Sequence, residues 1–230
     1  MSSKHSWDFF SKDYEDTVFS VTSSRPRRKM FLKFLKYPLV LNLGAGPLPY
    51  MNQEMIRAGF KIVANDISRK MIKESSNRFS NQNLYFVNAN NLNLPFKSNS
   101  FNSVLAINSI LPENRKKIDL MLLECLRVLR KFGKFVGFFP AWETSIKAKE
   151  HLGLVEKLDE KLIRVYETTG WQCYQTHDTL SNHLKNVGFS KYVVKRILLK
   201  SKAEIESMKA IYSINTQNCL MFEYLAIAEK

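Results

Sequence analysis

The chain has 230 residues, of which 45% are hydrophobic, and a formal net charge of +14 at pH 7. This length and apolar content suit one domain with a sizeable core, while the absence of an apolar run of about 18 residues excludes a membrane-spanning helix. The positive charge favours anionic partners such as nucleic acid, although solvated lysine-rich faces would account for it equally well.

The cysteines and the first residues indicate the compartment. No apolar stretch follows Met1–His5, so we expect no secretory signal. Cys125, Cys173 and Cys219 are odd in number and far apart, which argues against a disulfide framework. No Cys/His pair has zinc-ligand spacing, so no metal site is expected. Together these features predict a cytoplasmic protein.

Strands and helices are predicted to alternate through the first two thirds of the chain. In chain order the elements are a helix at Arg27–Lys36, a strand at Leu39–Leu43, a helix at Met51–Ala58, a strand at Lys61–Ala64, a helix at Arg69–Phe79, strands at Leu84–Val87 and Ser103–Ile107, a helix at Ile118–Leu129 and a strand at Phe135–Phe139. Ser68 is a predicted helix N-cap, and Gly133 is predicted to end the helix before it. This alternation predicts a mostly parallel sheet with helices on both faces.

The last third is predicted to finish the sheet with antiparallel strands. Its predicted elements are one or two helices over Thr144–Tyr166, a helix at Thr179–Asn186 closed by Gly188, a strand at Tyr192–Leu199, a helix at Ala203–Ile214 and a strand at Leu220–Ala228. No sharp boundary or linker divides the chain. We therefore predict one domain over 1–230, with an N-terminal helical cap (1–37), a core (38–141) and a C-terminal part (142–230).

A glycine-rich turn and a distant carboxylate suggest an adenosine ligand. Gly44 and Gly46 follow the first predicted strand, where glycine lets the backbone pass close to a ligand. Asp66 comes about twenty residues later, just beyond the second strand, which is the distance at which an acid reaches ribose hydroxyls. Pro49 occupies the third glycine position of a dinucleotide-binding turn, which disfavours an oxidoreductase.

At these residues the sequence resembles the class I S-adenosylmethionine-dependent methyltransferases, in particular the broad group that mostly acts on small molecules. The matching segments are Val40–Gly46, Val63–Ser68, Ala89–Phe96 with Ser100–Val104, and Met121–Leu129 with Phe132–Phe135. The resemblance implies a Rossmann-like, seven-stranded, mostly parallel sheet with an antiparallel C-terminal strand. It also implies S-adenosylmethionine as the cofactor.

The same resemblance implies a set of cofactor-binding residues, Asn42, Gly44, Ala45, Gly46, Asp66, Ile67, Asn90, Asn91 and Asn108. In it the two glycines line the methionine and ribose portions, and Asp66 accepts the ribose hydroxyls. Asn90 faces the adenine amino group, Asn91 supplies backbone to the ring, and Asn108 lies near the sulfonium. The family usually has an acid at the positions of Asn42, Asn90 and Asn102.

The segment after the fourth strand of the core limits which classes of methyl acceptor are expected. Asn108–Leu111 does not match the Asn/Asp-Pro-Pro-aromatic motif of enzymes that methylate planar amides or adenine amino groups, and no cysteine is placed as a pyrimidine nucleophile. We therefore predict methyl transfer to an oxygen or nitrogen atom of a small-molecule acceptor. A base is required only if the acceptor must lose a proton, so the catalytic residues stay unassigned, with Tyr14 and His177 as candidates.

Two other functions remain open. An RNA-directed methyltransferase is suggested by two basic clusters, namely Arg25, Arg27, Arg28, Lys29, Lys33 and Lys36, and Lys191, Lys195, Arg196, Lys200 and Lys202. A cofactor-binding relative without turnover is suggested by the asparagines at acidic positions. The N-terminal aromatic residues either form a lid over the acceptor, with Tyr14 lining it, or pack a helix on the sheet.

Overall fold

The structure is a computed structural model that describes residues 7–8, 25–144, 157–167, 170–198 and 222–230. Tyr14, most of the predicted cap and the helix predicted at Ala203–Ile214 lie outside these residues. The described helices are α1 (Arg25–Leu32), α2 (Tyr50–Arg57), α3 (Arg69–Arg78), α4 (Arg115–Val128) and α5 (His177–Val187). No helix among them is long and apolar enough to cross a membrane.

Seven strands form the main sheet. They are β1 (Leu39–Leu43), β2 (Lys61–Asp66), β3 (Leu84–Asn88), β4 (Phe101–Ile107), β5 (Leu129–Pro140), β9 (Lys191–Leu198) and β10 (Phe222–Glu229). Their order in the sheet is β3-β2-β1-β4-β5-β10-β9. Strands β1 to β5 are parallel to one another, and β10 is antiparallel to both β5 and β9. The predicted Rossmann-like sheet with an antiparallel C-terminal strand is thus confirmed.

Alternate residues of the central strands are buried on opposite faces of the sheet. Val40 of β1 packs in a cluster with Phe31 of α1 and Met55 of α2. Its neighbour Leu41 packs in a second cluster with Leu122 of α4 and with residues of α5. A strand covered on both faces has a near-continuous apolar sequence, which is why the sheet could be predicted from short apolar runs.

Two predicted helix boundaries are confirmed. The Ser68 hydroxyl accepts a hydrogen bond from the backbone N–H of Met71 and so caps α3. In the C-terminal part of the chain, Gly188 has a left-handed conformation and closes α5.

The prediction that Gly133 ends a helix is wrong. Helix α4 ends at Val128, and the chain enters β5 directly at Leu129. Gly133 lies inside β5, where the register with β4 shifts, and a Cβ on it would come within 2.8 Å of the Arg130 carbonyl oxygen. The glycine therefore permits a close backbone approach at an irregularity in the strand.

The helices predicted over Thr144–Tyr166 meet a helical start at residues 142–144, and residues 145–156 lie outside the described part of the chain. The end of the segment is wrong as predicted, because strands occur there. Strands β6 (Lys157–Asp159), β7 (Arg164–Glu167) and β8 (Gly170–Cys173) form a separate three-stranded antiparallel sheet. Tyr166 and Trp171 lie opposite each other with ring centroids 5.5 Å apart, and Val165 is fully buried. Cross-strand aromatic packing of this kind stabilises a hairpin in a segment whose composition also suits a helix.

Candidate functional site

The carboxyl ends of β1, β2 and β4 meet where the strand order reverses, which is where ligands bind in open α/β sheets. Gly44 and Gly46 follow β1 with φ of +58° and +65°. A Cβ on Gly44 would lie 2.3 Å from the Cβ of Ser109. The turn after β1 therefore packs directly on the loop after β4, and only glycine fits there.

Asp66 links this turn to the start of α3. The Gly46 backbone N–H donates to its Oδ2 at 3.0 Å, and the Ser68 backbone N–H donates to its Oδ1 at 2.9 Å. The residue is only 7% exposed, and burial raises the pKa of its carboxyl group against these hydrogen bonds, which lower it. Each carboxylate oxygen can accept a further hydrogen bond, so the group can still receive two hydroxyls.

A chain of asparagine side chains connects the strand ends. Asn65 donates its Nδ2 to Oδ1 of Asn91 at 2.8 Å, and Asn91 donates its Nδ2 to the Ser109 carbonyl oxygen at 3.4 Å. Asn91, predicted to contribute backbone, thus also links β2 to the loop after β4. On β1, Asn42 donates to Asn52 of α2 at 2.9 Å. This neutral pair occupies the place where the family usually has an acid.

Several buried polar atoms around this junction have no hydrogen-bond partner among the described residues. They are Asn52 Nδ2, Asn65 Oδ1, Asn108 Oδ1 and Ser109 Oγ. Buried polar atoms in folded proteins are almost always paired, so such a group of orphans indicates a polar ligand. Their mixture of donors and acceptors fits an adenosine carrying hydroxyls and an amino group.

The remaining predicted cofactor residues lie in the segments that follow β1, β2, β3 and β4. Ala45 donates its backbone N–H to the Asn65 carbonyl oxygen at 2.9 Å, and Ile67 lies partly exposed beside Asp66. Asn108 follows β4 with φ of +47°. Asn90 is exposed, and its Oδ1 accepts from the backbone N–H of Leu92 at 3.0 Å. Asn90 therefore shapes its own turn, in addition to any contact that it makes with a ligand.

Asp8 is a residue at this site that sequence reasoning missed. Its Oδ1 accepts from the Ser68 hydroxyl at 2.5 Å and from the Lys70 backbone N–H at 3.4 Å. Its charge also raises the pKa of Asp66, although burial is the larger cause. The signal was weak because Asp8 is sixty residues from its partner in the sequence. The N-terminal segment thus reaches the Asp66 side of the site at this residue.

His177, a predicted catalytic candidate, lies on the β5–β10 side of the molecule. Its side chain is 51% exposed, and its ring centroid is 6.3 Å from that of Tyr224. No described hydrogen bond joins it to Asp66 or to the glycine turn. Tyr14, the other candidate, is outside the described residues, so its catalytic role stays a prediction.

The first basic cluster is largely engaged in ion pairs. Arg27 is buried and pairs with Glu223 at 3.5 Å. Arg25 and Arg28 both approach Glu54, at 3.7 and 3.9 Å. In the second cluster Lys191 and Lys195 are exposed on β9, and the Arg196 guanidinium lies 4.9 Å from the Phe222 ring centroid.

Comparisons with known proteins agree with this geometry. The family model described as "Methyltransferase domain" matches residues 41–137, which contain β1 to most of β5. A search with the sequence found no match among curated proteins.

Solved methyltransferases share the fold. A methyltransferase from Methanosarcina mazei is 16% identical, with a TM-score of 0.65 and coverage of 87% of this chain and 96% of that one. A Thermotoga maritima protein described as a possible histamine N-methyltransferase is also 16% identical, with a TM-score of 0.66 and coverage of 98% and 99%. Phosphoethanolamine N-methyltransferase 2 of Haemonchus contortus, in complex with S-adenosylmethionine, is 13% identical, with a TM-score of 0.73 over 100% of this chain and 60% of that one.

At these identities the solved structures show the fold alone. Residues 41–137 match the methyltransferase-domain family model, and the described fold is that of the solved S-adenosylmethionine-dependent methyltransferases.

Proposed function

We propose that the chain transfers a methyl group from S-adenosylmethionine to an oxygen or nitrogen atom of a small-molecule acceptor. The observation that carries this proposal is the buried Asp66 carboxylate, which receives one N–H from the glycine turn and one from the start of α3 while keeping capacity for two hydroxyls. The cofactor would supply a methyl group already activated by its sulfonium, so the protein has mainly to bind, orient and exclude water.

Within this proposal the predicted cofactor residues have the following parts. Asp66 would accept the ribose hydroxyls, and the Gly44–Gly46 turn would let the backbone lie against the methionine portion. Asn108 Oδ1, which is buried and has no partner among the described residues, would face the reactive end. The other proposed cofactor contacts are Asn42, Ala45, Ile67, Asn90 and Asn91.

Part of the positive charge of the first basic cluster is paired within the protein, which weakens the case for RNA. RNA binding uses free cations that neutralise phosphates, whereas three arginines of the α1 cluster are paired with Glu54 or Glu223. Two of the similar structures carry names that refer to the methylation of amines, histamine and phosphoethanolamine. Both points support a small acceptor.

A transfer assay distinguishes the two acceptor classes. The protein is incubated with methyl-labelled S-adenosylmethionine and either a metabolite fraction freed of macromolecules or a purified RNA fraction. We expect label in metabolites and no label in RNA, with Asp66→Asn as the inactive control. Label in RNA alone would contradict the small-molecule proposal, and an absence of label in both fractions would contradict the proposed activity.

A further inference from the structure

The segment that follows β5 is held firmly on both sides. The Trp142 backbone N–H donates to the Gln175 carbonyl oxygen at 2.8 Å, and the Gln175 N–H donates to the Pro140 carbonyl oxygen at 3.3 Å. Farther along, the Thr144 hydroxyl donates to the Phe222 carbonyl oxygen at 2.7 Å. Glu143, between these anchors, therefore has a defined position between the start of β10 and the residues before α5.

Glu143 is oriented by a buried tyrosine. The Tyr224 hydroxyl donates to Glu143 Oε1 at 2.7 Å, and Tyr224 is fully buried opposite Phe139 of β5. Burial, followed by the neighbouring Glu143, raises the pKa of Tyr224, while the Arg196 side chain, which is hydrogen-bonded to Tyr224, lowers it. The phenol thus stays protonated and acts as the donor in this pair.

The other oxygen of the Glu143 carboxylate has no hydrogen-bond partner among the described residues. Oε2 is buried, and no hydrogen bond or ion pair to it is found among the described residues. A buried carboxylate oxygen only accepts hydrogen bonds, and leaving it unpaired costs more than leaving a neutral group unpaired. A ligand group that pairs with Oε2 must therefore be a hydrogen-bond donor, such as an N–H.

A second orphan of the opposite kind lies in the residue before the α5 cap. Gln175 is fully buried, and its Oε1 accepts from the Thr179 hydroxyl at 3.0 Å. Its Nε2 is buried without a partner among the described residues. Within the described part of the chain, this region thus presents one unsatisfied acceptor and one unsatisfied donor, which is typical of a site for a small polar molecule.

This region is adjacent to the cofactor site along the sheet. The loop after β4 packs against Gly44 through Ser109, and Asn108 donates its backbone N–H to the Phe138 carbonyl oxygen of β5 at 2.9 Å. Glu143 follows β5, so it lies on the side of Asn108 opposite to Asp66. An in-line transfer needs the acceptor on the far side of the methyl group from the donor, and this is the side on which Glu143 lies.

We propose that Glu143, oriented by Tyr224, binds the amine of the methyl acceptor, with Oε2 accepting a hydrogen bond from its N–H. This inference rests on the proposed function and specifies its acceptor as an amine. Glu143 is a binding residue in this account, and Tyr224 is a positioning residue.

Matched probe pairs test the proposal on the full chain saturated with S-adenosylhomocysteine. Ethanolamine and 2-phenylethylamine are compared with ethylene glycol and 2-phenylethanol by titration calorimetry. We expect at least one amine to bind tenfold or more tightly than its alcohol, and Glu143→Gln to abolish that preference while leaving S-adenosylhomocysteine affinity unchanged. Glu74→Gln, at a half-exposed pair with Arg78 on α3, is the control and keeps the wild-type preference.

Tyr224→Phe retains the carboxylate but removes its donor, so it is expected to reduce the preference for the amine and serves as the second variant if Glu143→Gln does not fold. If neither amine binds more tightly than its alcohol, or if the variants retain the full preference, the inference is overturned while the proposed function stands. If the wild-type protein does not bind S-adenosylhomocysteine, it is the proposed function that fails.

Discussion

Asp66 has a structural role in the fold and, in the proposed function, also binds the ligand. Its carboxylate ties the glycine turn to α3, yet burial raises its pKa, which means that the ionised form is not fully compensated in the free protein. The stability that this group contributes is therefore greatest below its unfolded pKa, near 3.8, and is lost as the pH rises through the higher folded value. Hydroxyl groups of a bound ligand would donate hydrogen bonds to the ionised carboxylate and would restore part of the lost stability.

Gly44 gives the sharpest prediction at the residue scale. Gly44→Ala introduces a Cβ that would lie 2.3 Å from Ser109 Cβ at a φ of +58°, whereas Gly188→Ala, at +98°, meets no atom within 4 Å. We expect Gly188→Ala to lower the free energy of unfolding by about 1 kcal/mol and Gly44→Ala to lower it by clearly more, because contact adds to backbone strain. Urea denaturation measures both.

The double variant Gly44→Ala/Ser109→Gly removes the atom that the new Cβ would meet. It should recover part of the loss seen in Gly44→Ala, measured against Ser109→Gly alone. If the stability changes of the two single variants simply add in the double variant, the turn after β1 and the loop after β4 are not in repulsive contact.

At the scale of elements, α4 holds the loop that follows β3. Arg127 donates to the carbonyl oxygens of Phe96 at 2.6 Å and Leu94 at 3.0 Å, and Glu124 accepts the Leu94 N–H at 2.7 Å. The hydrogen bond from Arg127 lowers the pKa of Glu124, and Glu124 in turn raises the pKa of Arg127. This pair of side chains on α4 thus holds the loop that follows β3, in which Asn90 and Asn91, the proposed adenine contacts, lie.

Arg127→Met keeps the length of the side chain but removes its donors. We expect a loss of about 1–2 kcal/mol in stability, since two backbone carbonyls lose their partners, and faster amide exchange at Leu94. Lys117→Met, which breaks a partly exposed pair with Glu113, is the control and should change stability by less than about 0.5 kcal/mol. Equal effects of the two changes would argue against this role of α4.

The α4–α5 interface carries a pH-dependent contact. His183 Nδ1 lies 2.6 Å from Asp119 Oδ1, and its Nε2 lies 3.2 Å from Arg115. Burial is the largest cause that lowers the pKa of His183 below 6.5, and Arg115 lowers it further, while Asp119 acts in the opposite direction. Below pH 6.5 the unfolded chain therefore takes up a proton that the folded protein resists, and stability falls with acidification.

His183→Gln should remove this part of the pH dependence. We expect the drop in melting temperature between pH 7.5 and 5.5 to be smaller in His183→Gln than in the wild-type protein. His177→Gln, on the exposed first turn of the same helix, should keep the wild-type drop. An unchanged slope in His183→Gln would show that other groups cause the acid sensitivity.

At the scale of the whole molecule, the alternation of apolar runs and helix signals was sufficient to predict the central sheet. Leu39–Leu43 and Lys61–Asp66 are buried on both faces, so their sequences carry a clear strand signal. The final strands β9 and β10 complete the same sheet as the core strands.

Other features depend on contacts that no local pattern contains. The hairpin of β7 and β8 is stabilised by cross-strand packing, and the role of Gly133 depends on a register shift between β4 and β5. In the candidate site, Gly44 and Asp66 were found from their spacing. Asn52, Asn65 and Asp8 were missed because their partners are brought to them only by the fold.

The central claim, that the junction of β1, β2 and β4 binds an adenosine cofactor through Asp66, is tested most directly by titration calorimetry with S-adenosylmethionine and S-adenosylhomocysteine. We predict heat from binding at one site on the wild-type protein, and affinity at least tenfold lower in Asp66→Asn, whose amide can accept only one of the two backbone N–H groups. Asp178→Asn, at an exposed carboxylate, should bind as the wild type does. The absence of binding heat with both ligands on folded protein, or equal affinity in Asp66→Asn, would contradict the account.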